Sequence, residues 1–174
     1  MHTIYTIGHS TRTIEQFIEL LKAHGIEELV DVRTIPRSRH NPQFGREELA
    51  ASLQQAGIAY THLGKLGGLR HASKDSVNLG WQNTSFRGFA DYMATPEFTL
   101  GLDELKALAE QKTVAIMCAE AVPWRCHRSL ISDALTIQGW QVRHIQSRKT
   151  ANLHKLTPFL EVQDGKITYP APEE

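Results

Sequence analysis

The strongest constraint on the fold is a rhythm in which short runs rich in Val, Ile, Tyr and Thr alternate with longer runs whose apolar residues recur at helical spacing. "TIYTI" (3–7), "ELVDV" (28–32), "IAYTHL" (58–63), "TVAIM" (113–117) and "WQVRHI" (140–145) read as strands, because β-branched and aromatic side chains suit a pleated, half-buried surface. Between the first two, Ile14, Phe17, Ile18, Leu21 and Ala23 keep a helical period, Thr13 and Gln16 can form a capping box, and Gly25 supplies a stop. A second helix is expected over 46–56, with Leu49, Leu53 and Ala56 on one face and Gly57 closing it. A third opens with Thr95 as N-cap and Pro96 as first helical residue, and turns Phe98, Leu102, Leu105 and Ala109 inward. A fourth follows Arg125 and ends near Gly139.

Strands alternating with helices imply parallel pairing through crossovers. The expectation is one layered α/β domain over 1–174, with a mostly parallel sheet of about five strands flanked by helices. Its core runs over 3–146 and a C-terminal extension over 147–174, with a hairpin around Asp164-Gly165 and a frayed "APEE" tail. Residues 64–85 interrupt the rhythm as a long polar loop, and loops of that length tend to be functional or disordered.

Composition excludes several classes. The chain has 174 residues, 41% hydrophobic and 22% charged, with no apolar run near the roughly 20 residues that span a bilayer, so no membrane partner is expected. The N-terminus "MHTIYTIGHSTRT" lacks the basic and long apolar regions of a secretion signal, and the expected location is the cytoplasm. Nineteen basic and nineteen acidic side chains balance, which offers no global attraction to nucleic acid. The arginines are nevertheless clustered: Arg33, Arg37 and Arg39 in one segment, Arg125 and Arg128 in another, Arg143 and Arg148 with Lys149 in a third. Two cysteines, Cys118 and Cys126, are too few for a disulfide framework.

In open parallel sheets ligands bind beyond the carboxyl ends of the strands, so the residues there belong together. They are Gly8, His9 and Ser10 after the first strand; Asp31 and Arg33 at the end of the second, followed by "TIPRSRHNPQF"; and Cys118 and Glu120 after the fourth. The segment "MCAEAVPWRCHRSL" (117–130) admits three readings. Cys118 is a nucleophile beside an anion-binding arginine, at a helix N-terminus that would lower its pKa; "ELVDVR" resembles the aspartate-arginine strand of rhodaneses. Six residues separate Cys118 from Arg125 where the phosphatase signature has five, and Pro123 and Trp124 stand in the loop. Alternatively Cys118, Cys126 and His127, with His9 or His40, bind zinc, although the spacing is not that of a zinc knuckle. Or the cysteines are small core residues, and no metal is assigned.

"YTIGHS", "VDVRTIPRSRHNPQF", "LGG", "FRGFADYM" and "MCAEAVPWRCHRSLISDAL" together resemble the bacterial family called domain of unknown function 488, over residues 3–146. The resemblance implies an α/β fold and no settled activity. It maps signature positions onto Gly8, His9, Ser10, Asp31, Arg33, Pro36, Arg37, Ser38, Asn41, Pro42, Cys118, Glu120, Cys126, His127 and Arg128.

The leading expectation is a pocket at the strand ends that takes a phosphate-bearing ligand, a nucleotide or nucleic-acid fragment, with room for hydrolase or transferase chemistry. Ser10, Asp31, Arg33, Arg37, Asn41, Arg125, His127 and Arg128 are the candidate binding residues; His9, Cys118 and Glu120 are the candidate catalytic ones. Guanidinium suits this task because it contacts an oxyanion bidentately. Trp81 and Trp124 are candidates for stacking on a base. The alternatives are a non-catalytic nucleic-acid-binding module and a rhodanese- or phosphatase-like thiol enzyme using Cys118. Cofactor and oligomeric state stay open.

Overall fold

The computed structural model describes residues 2–172. Five expected strands form, β1 (Thr3–Gly8), β2 (Glu28–Asp31), β3 (Ala59–His62), β4 (Val114–Cys118) and β5 (Gln141–Ile145), all parallel. A sixth, β6 (Ala151–Leu153), adds antiparallel to β5, giving the order β3-β2-β4-β1-β5-β6. The hairpin β7 (Glu161–Gln163) and β8 (Lys166–Thr168) turns on Asp164 and Gly165, both at positive φ, as a two-residue hairpin turn requires. Residues 173–174 of the tail lie outside the described residues.

Helix α1 (Ile14–Ala23) begins with the capping box: Thr13 accepts from the Gln16 backbone and Gln16 answers on the Thr13 N–H. Helix α2 (Arg46–Gln55) follows, and both cover one face of the sheet, where Phe17, Leu21, Leu49 and Leu53 pack on Ile7, Leu29, Ala115 and Met117. The other face carries α3 (Thr84–Tyr92), α4 (Pro96–Gln111) and α5 (Arg128–Ile137) over Ile4, Val30, Val114, Ile116 and Cys118. β4 thus alternates faces, and this places Cys118 on the α5 side.

The loop expected at 64–85 is shorter than its sequence suggests, because Asn83 caps α3 by accepting from the Ser85 and Phe86 backbones. Gly88 lets α3 seat directly on the Arg70 carbonyl, where a Cβ would overlap it. The loop is tied down from the C-terminal side: the Tyr169 backbone N–H donates to Asn78, and Trp81 packs on Phe159 and Tyr169. A polar chain anchors the same segment. Thr6 Oγ1 meets His144 Nδ1 at 2.6 Å, His144 Nε2 meets His154 Nδ1 at 2.8 Å, and His154 Nε2 meets Asp133 at 2.8 Å. Asp133 also accepts from the hydroxyls of Thr157 and Tyr169. Among the described residues no helix is long and apolar enough to cross a membrane.

Candidate functional site

The connections fix where a site can lie. From β1 the chain runs through α1 on one face to β2, two places away; from β4 it runs through α5 on the other face to β5. β1 and β4 are neighbours, with Gly8 paired to Cys118, and the connections diverge between them at a topological switch point, the edge at which open α/β sheets bind ligands. A methyl group at Gly8 would overlap the Glu120 carbonyl, which is why the loop after β4 can lie on β1.

Asp31 ends β2 and organises the next residue but one. Its carboxylate accepts from the backbone N–H of Arg33 at 3.1 Å, from Arg33 Nε at 2.9 Å and Nη2 at 2.7 Å, and from the Tyr60 hydroxyl at 2.6 Å. Arg33 is 6% exposed and Asp31 fully buried, and Arg33 Nη1 has no partner. His62 donates to the Arg33 carbonyl at 2.7 Å. Tyr60 and His62 are site supports that the sequence reading missed; they sit two apart on β3, so the signal was the period-two placement beside β2.

The two thiols meet. Cys126 Sγ lies 2.6 Å from Cys118 Sγ, and the Arg128 backbone N–H at the start of α5 points at Cys126 Sγ at 3.4 Å. Burial pushes the Cys118 thiol up, but the Cys126 S–H donated to it, the Arg128 guanidinium and the Glu120 backbone outweigh burial and hold it below the ordinary thiol value. Cys126 is pushed well up by that same bond and by burial. His127 donates through Nε2 to the Val32 carbonyl at 2.9 Å, and its Nδ1 lies 3.5 Å from Cys126 Sγ. Burial lowers it to about 4, against the raising effect of the Val32 carbonyl. Among the described residues no group of three or more His, Cys, Asp or Glu is arranged to hold a metal ion.

Arg128 is 1% exposed and, among the described residues, forms no ion pair with a carboxylate. Its Nη2 donates to the carbonyls of Glu120 and Ala121 at 3.1 and 3.2 Å, and its Nε has no partner. Glu120 therefore meets Arg128 and Cys118 through its carbonyl, while the residue as a whole is exposed. His9 stacks on Phe44 and donates through Nδ1 to the Ser10 carbonyl at 2.8 Å, leaving a buried Nε2 without a partner. Burial holds this imidazole below its ordinary value.

A cavity of about 370 Å³ gathers part of this set. Arg33, Arg37, Glu120, Arg125, Cys118, Cys126 and His127 line it, together with Thr34, Gly68 and Phe86. Arg37 and Arg125 are exposed at its rim. Asp31 and Arg128 stand behind the wall, holding Arg33 and the Cys118 loop. His9, Ser10 and Asn41 do not line it; Ser10 takes a positive φ after β1, and Asn41 precedes the short 3-10 helix Pro42–Phe44 without a side-chain cap bond. The two candidate tryptophans both line a separate cavity of about 800 Å³: Trp81 is packed edge-on between Phe86 and Phe159, and Trp124 is 68% exposed. A third cavity, lined by Arg12, Glu19, Arg148 and Lys149, has its Arg148 paired with Glu19 at 2.8 Å.

No curated protein and no solved structure matches the chain. A family profile does, over residues 13–135, a span that takes in Asp31, Arg33, Cys118 and Arg128 and leaves the "YTIGHS" motif outside it. That span exceeds half of the sequence, and on it the chain belongs to the family described as Domain of unknown function DUF488.

Proposed function

We propose that this chain binds a phosphate-bearing ligand, a nucleotide or a nucleic-acid fragment, in the cavity at the ends of β2 and β4. The observation that carries the reading is Arg33: a buried guanidinium, fixed along one edge by Asp31, with a further N–H group that finds no acceptor among the described residues. Buried polar groups are almost always hydrogen-bonded, and an oxyanion is the partner that guanidinium geometry favours. Arg37 and Arg125 add to the attraction, so the lining holds three arginines against one glutamate. Asp31 and Tyr60 act as positioning residues for Arg33.

The test is thermal unfolding of the reduced chain with inorganic phosphate, sugar phosphates, nucleotides and short oligonucleotides, in the native sequence and in Arg125→Ala. A ligand that binds only the folded state raises the midpoint. The reading expects a rise for phosphate-bearing compounds that shrinks in Arg125→Ala; no rise with any of them contradicts it. Binding of oligonucleotides alone, with a steep loss of affinity in salt, would favour the non-catalytic nucleic-acid module.

One observation favours a second reading, in which Cys118 attacks the bound group. Cys118 is one of the residues that line the cavity, its thiol is held below the ordinary value, and the thiolate is the nucleophilic form. Iodoacetamide at neutral pH then modifies Cys118 faster than Cys126; equal, slow modification of both removes the nucleophile.

A further inference from the structure

We propose that Cys118 and Cys126 form a redox-active dithiol that peroxide closes to a disulfide, and that closure strengthens anion binding in the adjoining cavity. The second half rests on the anion-binding reading above; the first half stands without it.

The two sulfurs are in direct contact although their residues are eight positions apart, and such an approach is what a disulfide requires. Both sulfurs belong to residues that line the 370 Å³ cavity, which gives a small oxidant a route to them. The intervening segment carries Glu120 and Arg125, so the closed ring would be part of the cavity wall. Besides meeting Cys118, the Cys126 sulfur accepts the Arg128 backbone N–H at 3.4 Å and lies 3.5 Å from His127 Nδ1, and the anion-binding reading assigns it no role.

The step balances. The Cys118 thiolate attacks one oxygen of hydrogen peroxide, the O–O bond breaks, and a sulfenic acid forms as hydroxide leaves. The Cys126 sulfur then attacks the Cys118 sulfur, its proton goes to the departing oxygen, and water leaves. Two thiols and one peroxide become one disulfide and two waters, and a small-molecule thiol reductant reverses the change by exchange.

The consequence for the cavity is electrostatic. The reduced Cys118 thiol is held below its ordinary value with the Arg128 guanidinium as one cause, so it ionises more readily than a free thiol and its thiolate would compete with an incoming anion. A disulfide cannot ionise, so oxidation removes that competitor, and an oxyanion should then bind more tightly.

The full-length chain is treated with stoichiometric hydrogen peroxide, denatured, alkylated with iodoacetamide and weighed intact; in parallel, inorganic phosphate binding is measured before and after oxidation. The proposal expects loss of the mass of two hydrogens, no alkylation, recovery on adding dithiothreitol, and a lower phosphate Kd after oxidation than before it. In Cys126→Ser, dimedone should trap a sulfenic acid on Cys118. A native chain that stays fully alkylatable, or that carries a sulfinic acid on Cys118 instead, overturns the dithiol. A disulfide that leaves phosphate affinity unchanged or weaker overturns the coupling. Disulfide formation with phosphate bound by neither form upholds the dithiol and overturns the anion-binding reading.

Discussion

Replacing Arg128 with methionine should leave the fold nearly as stable as before while changing the chemistry of the site. Arg128 is 1% exposed, donates to two carbonyls and has no carboxylate beside it. Methionine keeps most of the alkyl volume and removes the charge. The loss is two charge-assisted hydrogen bonds, about 1.5–3 kcal/mol each. Against it stands the effective cost of burying an ion, itself several kcal/mol. The two offset, and the net change should fall within about 2 kcal/mol of zero. Urea unfolding of the reduced chain, with an unchanged m-value, reads this directly. The same variant should slow the alkylation of Cys118, because the guanidinium is one of the groups that hold its thiol down. A loss above about 3 kcal/mol is the signature of a broken, compensated ion pair; it would refute the reasoning, because it would mean that the buried charge has a partner within the folded chain.

Asp31→Ala is the opposite case. It strands the Arg33 guanidinium and the Tyr60 hydroxyl and should cost about 3–5 kcal/mol in the same assay; a loss below 1 kcal/mol, on the order of an exposed pair, would show that the Asp31–Arg33 pair is not the strut described. Gly8→Ala forces a methyl group onto the Glu120 carbonyl and should cost about 3 kcal/mol and blunt the response to phosphate together. Stability should fall on acidification. Burial holds His144 at about 3 and His127 at about 4, so below about pH 6.5 the unfolded chain takes up protons that the folded chain refuses. The stabilisation is complete above that value and is lost as pH falls through 4 towards 3, by about 4 kcal/mol in all after discounting for the partial exposure of His127; urea midpoints that stay level across this range would count against neutral, buried imidazoles.

What the sequence shows and what it hides follows from how local each determinant is. The α1 capping box needs only Thr13 and Gln16, three residues apart, and was legible. The β-branched runs likewise named the five parallel strands, and the alternation along β4 decides the face that Cys118 takes. Helix α3 keeps an apolar stripe of Phe86, Phe89 and Ala90 behind the Asn83 cap and was legible in principle; it is easily passed over because it is short and carries Gly88, a poor helix former that is there for docking on Arg70. β6 has three residues and exists as an antiparallel edge beside β5. At the site, the strand ends pointed to His9, Asp31, Arg33, Cys118 and Glu120; the cavity is lined by Arg33, Cys118 and Glu120 together with Arg125 and His127, while His9 and Asp31 do not line it. That Arg125 is exposed while Arg128 is buried was not legible, because the difference depends on how the 119–121 loop folds over α5. The chain from Thr6 through His144 and His154 to Asp133 joins β1, β5, the C-terminal extension and α5; no spacing in the sequence announces such a contact.

The central claim is that the cavity beside Arg33 recognises a phosphate group. Calorimetric titration of the reduced chain with a nucleoside monophosphate and with the matching nucleoside, in low salt, tests it most directly. The account predicts heat of binding for the nucleotide, none for the nucleoside, and loss of the nucleotide signal in Arg125→Ala. Equal binding of both compounds, or a nucleotide signal untouched by Arg125→Ala, would contradict it.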